Sequence, residues 1–164
     1  MAMFAPDQLD LAGKVLAAAQ KADVRLVTAE TCTAGLVSAC LTSVSGASKT
    51  FERGFALYHD SAKATGLGVP ETVSRSHGAV SAEVTQGLAE GALKHSTAGA
   101  SVAVTGYAGP GGGNEKNPVG TVYVASARKG RPSIVERHQF SGDRDAVRSA
   151  AVTAALGVLL KQFT

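Results

Sequence analysis

Arg25-Leu26-Val27-Thr28-Ala29 runs without a spacer into Glu30-Thr31-Cys32-Thr33-Ala34-Gly35, and an apolar stretch over residues 36–44 follows at once. A short buried-type strand, a six-residue turn ending in glycine and a helical run make a strand, a turn and a helix. That order constrains the fold more than any other feature of the chain, because a strand feeding a helix is the building unit of α/β sheets. In open α/β sheets ligands gather at the carboxyl ends of the strands, where main-chain amides are free.

The rest of the chain extends the pattern. Residues 6–22 place Leu9, Ala12, Leu16 and Ala19 on one stripe with Leu11 and Val15 beside it, which predicts an amphipathic helix. Residues 51–58 alternate well enough for a second strand, entered through a turn at Ser45-Gly46-Ala47-Ser48 and followed by a short helix that begins with His59-Asp60-Ser61-Ala62-Lys63. Ser81 caps a long helix with Glu83 in its first turn, the stripe Val84, Leu88 and Ala92, and Lys94 and His95 at its end. Strands are predicted over residues 101–105, 121–127 and 133–140, the last two joined by the polar connection Arg128-Lys129-Gly130-Arg131-Pro132. Residues 143–163 form the closing helix, apolar enough over 150–160 that most of its circumference needs cover. Helices alternating with strands early and a hairpin late predict an α/β class, with about five strands in one mixed sheet and helices on both faces.

Composition narrows the function classes. At 164 residues, 45% hydrophobic and 18% charged, the chain is expected to form a single domain over 1–164 with no need of disulfides. Cys32 and Cys40 lack the short spacing of a zinc or redox pair, which suits a reduced, cytoplasmic setting. The first residues lack the basic-then-apolar pattern of a secretory leader, and no apolar run approaches the ~20 residues of a membrane span. The net charge of +3 is scattered, aromatics are 5% and tryptophan is absent, so no nucleic-acid track is expected and local anion capture fits better.

Thr105-Gly106-Tyr107-Ala108-Gly109-Pro110-Gly111-Gly112-Gly113 joins the third strand to a loop almost bare of side chains. Successive amides in such a loop can form a nest for a phosphate or an oxyanion, and a plain surface turn is the alternative. Thr31, Tyr58, Lys63 and Thr105 follow three strand ends and are expected to line one cleft. A hydroxyl nucleophile needs a base, and a lysine serves when it is neutral, so Lys63 is expected about 3 Å from the Thr31 hydroxyl or one water away. The amides of Cys32, Thr33 or Gly35 are the oxyanion donors nearest to Thr31. Each residue has a plainer reading: Thr31 as a helix cap, Lys63 as a surface lysine, Glu30 as a general base or a mere complement to a helix dipole. Arg144 and Arg148, four apart, share a helical face and can grip a phosphate or form a solvated pair. His59, His77, His95 and His138 have no metal-box spacing, so no metal and no cofactor are expected.

Six segments in order carry a resemblance: Thr28-Ala29-Glu30-Thr31-Cys32-Thr33-Ala34-Gly35, Phe51-Glu52-Arg53-Gly54-Phe55, His77-Gly78-Ala79-Val80-Ser81, Thr105-Gly106-Tyr107-Ala108-Gly109-Pro110-Gly111-Gly112, Lys116-Asn117-Pro118-Val119-Gly120-Thr121-Val122 and Phe140-Ser141-Gly142-Asp143-Arg144. Over nearly its whole length the chain resembles the CinA C-terminal domain family, in a stand-alone form without the companion N-terminal domain. The resemblance implies a three-layer α/β/α sandwich around a mixed, mostly parallel sheet. It also implies nicotinamide-nucleotide amidase activity, the hydrolysis of the carboxamide of nicotinamide mononucleotide to nicotinic acid mononucleotide and ammonia, by a serine nucleophile and a lysine base without metal.

Carried onto this sequence, the resemblance puts the nucleophile at Thr31 and the base at Lys63, with Tyr58 relaying or orienting the proton. Cys32, Thr33, Gly35 and Thr105 would hold the oxyanion and substrate, and Gly106, Gly109, Gly111, Gly112, Gly113 and Arg144 the ribose phosphate. Three departures stand out: Thr31 replaces the usual serine, Ala34 the first of two glycines, and Tyr58-His59-Asp60 the common Tyr-Ser-Asn. The threonine methyl restricts χ1 and crowds the approach to a carbonyl. A homologue that binds the nucleotide without turnover is therefore the competing expectation, and an interaction protein in competence or DNA damage a third. Phe51, Phe55 and the apolar last helix suggest a homodimer.

Overall fold

The computed structural model describes residues 2–164. Twelve elements lie among the described residues: α1 (Pro6–Lys21), β1 (Leu26–Glu30), α2 (Leu36–Thr42), a 3-10 turn (Ala47–Lys49), β2 (Phe51–Ala56), α3 (Asp60–Leu67), α4 (Glu71–His77), α5 (Ala82–Lys94), β3 (Ala100–Gly106), β4 (Thr121–Arg128), β5 (Arg131–Gln139) and α6 (Arg144–Lys161). All five strands lie in one sheet in the order β2-β1-β3-β4-β5. β1 pairs in parallel with both β2 and β3, while β4 runs antiparallel to β3 and β5, so four of the five strands share a direction.

The caps are local and follow from the residues. Ser81 Oγ accepts from the Val84 amide at 3.3 Å at the start of α5, and Asp143 Oδ1 accepts from Ala146 N at 2.9 Å at the start of α6. Pro6 opens α1, where its missing N–H is no loss. α4 is the element that periodicity does not predict: its seven residues, Glu-Thr-Val-Ser-Arg-Ser-His, carry too little apolar patterning to declare a helix, and Pro70 immediately before it starts the turn.

Both faces of the sheet are buried. On one side Val15, Leu16, Val37, Leu41, Val152, Leu156 and Leu159 from α1, α2 and α6 pack on Leu26, Val102, Val104 and Val124. On the other Leu67, Val84, Leu88 and Ala92 pack on Val27, Ala29, Ala103 and Ala125. A strand covered on both faces has no polar side, which is why β1, β3 and β4 read as nearly continuous apolar runs. Gln8 stitches the first layer across the chain, donating Nε2 to the Ser149 carbonyl and to the hydroxyls of Ser149 and Thr153. The apolar surface of α6 packs on α1, α2 and the sheet, while Phe51 and Phe55 pack against the two cores and stay partly exposed on β2, an edge strand. Among the described residues no helix is long and apolar enough to cross a membrane.

Candidate active site

Register brings three strand ends to one edge. Glu30, the last residue of β1, pairs with Ala56 on one side and Val104 on the other, so the chain leaves the sheet together at Thr31, Leu57 and the end of β3. β2 stops at Ala56, short of the expected Tyr58, because β1 offers no partner beyond Glu30; Leu57 N makes a last bond to the Glu30 carbonyl at 2.9 Å. At this edge a cavity of about 190 Å³ is lined by Thr31, Cys32, Tyr58, Lys63, Ala79, Val80, Gly106 and Tyr107.

The turn over residues 31–35 gives Thr31 and Cys32 to the lining, with Thr33 and Gly35 behind them. Thr31 is 8% exposed, and its hydroxyl donates to the Val104 carbonyl at 2.9 Å, as does its amide at 3.1 Å. Ala34 N closes the turn on the Thr31 carbonyl, and Leu36 N on that of Thr33. The amides of Cys32, Thr33 and Gly35 have no acceptor among the described residues, and the buried Thr33 hydroxyl has no partner among them. Ala34 and Gly35 take φ of +45° and +102° to turn these amides. An alanine held in that left-handed region carries about 1–2 kcal/mol of steric cost, which explains why glycine is usual at position 34 in the motif. The Cys32 thiol, beside the hydroxyl, is pushed up to about 11 by burial, reinforced by the Glu30 charge, so it stays protonated at neutral pH.

Glu30 holds the turn from below. Its carboxylate accepts from Val37 N at 2.8 Å, Ser38 N at 3.1 Å and Ser38 Oγ at 2.8 Å, and Ser38 Oγ also meets Thr28 Oγ1 at 2.7 Å. It therefore caps α2 and does not reach the cavity as a base. This chain of oxygens passes under Gly54 of β2, where a Cβ would lie 2.4 Å from Ser38 Oγ and 2.7 Å from Thr28 Oγ1. Gly54→Ala is expected to break the network and lower stability by about 1–3 kcal/mol, a drop of roughly 3–10 °C in melting temperature. A variant melting with the parent would show that Ser38 has room to turn aside.

The second wall carries Lys63 and Tyr58. Lys63 is buried on α3 and its Nζ donates to Asp60 Oδ1 at 3.0 Å, not to Thr31. Tyr58 is 68% exposed at the rim, and its hydroxyl accepts from Arg144 Nη2 at 3.0 Å. Arg144 Nη1 donates to the Gly109 carbonyl at 2.9 Å, so this arginine ties the glycine loop to the cavity rim. Arg148, one turn on, donates Nε to the Cys32 carbonyl at 3.0 Å and anchors the turn over 31–35 instead of facing solvent.

Of the glycine loop Gly106 and Tyr107 line the cavity, and Gly109, Gly111, Gly112 and Gly113 do not. Gly109 and Gly113 are shaped by packing inside the loop: a Cβ would stand 2.6 Å from Val119 Cγ1 and 2.7 Å from Val119 N. Gly111 and Gly112 are exposed at the tip. The amides of Gly109, Gly111, Gly112 and Gly113 have no acceptor among the described residues, as an anion nest requires.

Thr105 is placed elsewhere than expected. Alternation along β3 turns it toward α5, where its hydroxyl meets Thr85 Oγ1 at 2.8 Å, and since the Thr85 proton goes to the Ser81 carbonyl, Thr105 is the donor. It is buried behind the cavity wall and offers no hydrogen to an oxyanion. Asn117 was not singled out by sequence reasoning, yet it fixes the wall. Its Nδ2 donates to the Val80 carbonyl at 3.1 Å and its Oδ1 accepts from Tyr123 Oη at 3.1 Å, pinning the loop after β3 to the residues before α5. Its place in Lys116-Asn117-Pro118-Val119-Gly120 was the available signal. Among the described residues no group of three or more His, Cys, Asp or Glu side chains is placed to hold a metal ion.

Residues 8–163 match the CinA C-terminal domain family. The chain is 48% identical over 138 residues to a protein named nicotinamide-nucleotide amidohydrolase PncC from Escherichia coli K12, covering 84% of each. It is 43% identical over 158 residues to a CinA-like protein of Akkermansia muciniphila, of which it spans 38%. Among solved structures, the competence/damage inducible protein CihA from Agrobacterium tumefaciens superposes with a TM-score of 0.95 at 36% identity, over 98% of both chains. A match along nearly the whole sequence, with the same three-layer architecture, makes this chain a member of the CinA C-terminal domain family.

Proposed function

We propose that this protein hydrolyses the carboxamide of nicotinamide mononucleotide, releasing nicotinic acid mononucleotide and ammonia, with Thr31 as the nucleophile. The observation that carries the reading is that Thr31, Cys32 at the start of a turn whose amides have no acceptor among the described residues, and the buried Lys63 line one cavity. The 48% identical relative, named a nicotinamide-nucleotide amidohydrolase, supports the substrate class.

The chemistry follows from what each group can donate or accept. Neutral Lys63 takes the Thr31 proton as Oγ1 bonds to the amide carbon, and the carbonyl oxygen becomes an oxyanion facing the amides of Cys32, Thr33 and Gly35. Lys63 returns the proton to the amide nitrogen as the carbon–nitrogen bond breaks and ammonia leaves. Water then attacks the acyl ester, Lys63 accepting its proton and handing it back to Thr31. Tyr58, held by Arg144, orients the groups at the rim. The amides of Gly109 to Gly113 would take the ribose phosphate, and that remote binding aligns the carboxamide. In the resting structure Thr31 Oγ1 must first turn from the Val104 carbonyl; catalytic hydrogen bonds often form only with substrate present.

Purified protein incubated with nicotinamide mononucleotide should release ammonia and the acid mononucleotide in equal amounts. Binding of the nucleotide without ammonia would replace this reading with that of a ligand-binding homologue.

A further inference from the structure

Lys63 is engaged in a way that turnover must undo. Its side chain is 5% exposed, and its hydrogen bond among the described residues goes to Asp60 Oδ1, whose side chain is 41% exposed in the first turn of α3. Asp60 is not part of the cavity lining, whereas Lys63 is. Thr31, for its part, donates to the Val104 carbonyl. An ion pair needs the ammonium, and an ammonium has no lone pair with which to take a proton. The other ionisable side chains on this cavity are Tyr58 on the connection before α3, Cys32 on the turn after β1 and Tyr107 after β3. The helices packed against α3, α4 and α5, add no charged residue to the lining. Asp60 is thus the one carboxylate bonded to the amine, and it stands where the resembled motif commonly carries an asparagine, which would offer a hydrogen bond without a negative charge.

We propose that Asp60 is a positioning residue that holds Lys63 in a resting ion pair, so that each turnover requires this pair to open before Lys63 can serve Thr31. The inference rests on the amidase reading for its kinetic consequence but not for its electrostatic one. Removing the carboxylate shifts the balance at a buried amine toward the neutral form, the form that accepts a proton.

The test uses full-length protein labelled with 13C at the lysine ε carbons, the Lys63 signal being identified by its loss in Lys63→Arg. In Asp60→Asn the Lys63 signal should move from its parent position, as the ε carbon of an amine that has lost its carboxylate partner. Near neutral pH its kcat for nicotinamide mononucleotide should rise roughly three- to tenfold with a smaller change in KM. Asp60→Glu, which keeps the charge, should leave the signal close to its parent position. A shifted Lys63 signal with no ammonia from either protein would uphold the ion pair and overturn the amidase reading instead. An unshifted Lys63 signal overturns the proposal, and so does an active parent whose folded Asp60→Asn variant turns over no faster.

Discussion

Thr31→Ala should lower the release of ammonia from nicotinamide mononucleotide by a factor on the order of 10³ or more, because no other side chain at the cavity supplies a nucleophile. The neighbouring candidate, Cys32, is held as a thiol by burial and cannot substitute at neutral pH. Thr31→Ser is the informative companion. It keeps the hydroxyl, and serine can make the same bond to the Val104 carbonyl that Thr31 makes at 2.9 Å, while losing the methyl that limits χ1. Turnover should stay level or rise, by up to about tenfold if the methyl costs ~1.4 kcal/mol in the transition state. The fold should survive all three forms, since the Thr31 amide also bonds Val104 and only about 1 kcal/mol attaches to the hydroxyl bond. If Thr31→Ala turns over as fast as the parent, covalent catalysis at this residue is refuted.

Lys63→Met should also remove turnover, by roughly 10²–10⁴-fold, the usual contribution of a general base. Methionine keeps the length and apolar body of the lysine stem in its buried place on α3, so loss of activity would report the amine and not a collapsed wall. The stability change should be small, because the abandoned partner Asp60 is 41% exposed and can be solvated. Nucleotide affinity should be largely retained in both Thr31→Ala and Lys63→Met, as the phosphate is assigned to the amides of Gly109 to Gly113. Equilibrium binding alongside kinetics checks this, and affinity lost in step with kcat would move the phosphate to Lys63 itself.

Most of the architecture was readable because its signals are local. The stripe of Leu9, Ala12, Leu16 and Ala19, the cap at Ser81 and the polar connection within 128–132, which the strands narrow to Lys129-Gly130, each act within a few residues of chain. The strand-to-turn transition at Glu30-Thr31 likewise announced where amides would be free. α4 escaped notice because a seven-residue polar helix is stabilised by what it packs on, here α3 and α5, more than by its own pattern.

The side-chain partners at the site were a different matter. Whether Thr105 faces substrate or α5 depends on which face of a twisted sheet its position in β3 presents, and the answer involves Thr85, twenty residues away. That Glu30 is a cap and not a base was decided by Val37 and Ser38, and that Gly54 must be glycine by oxygens contributed from two other elements. Asn117 bonds Val80 across thirty-seven residues, and Arg144 reaches Tyr58 across eighty-six. By itself the sequence determined the elements, their order and the motifs that bear the chemistry, because hydrophobic period, caps and turns act over one or two helical turns. Only the tertiary structure decided that Lys63 rests on Asp60 and Thr31 on Val104, since a hydrogen bond is a matter of tenths of an ångström between groups whose approach is set by strand register and helix packing.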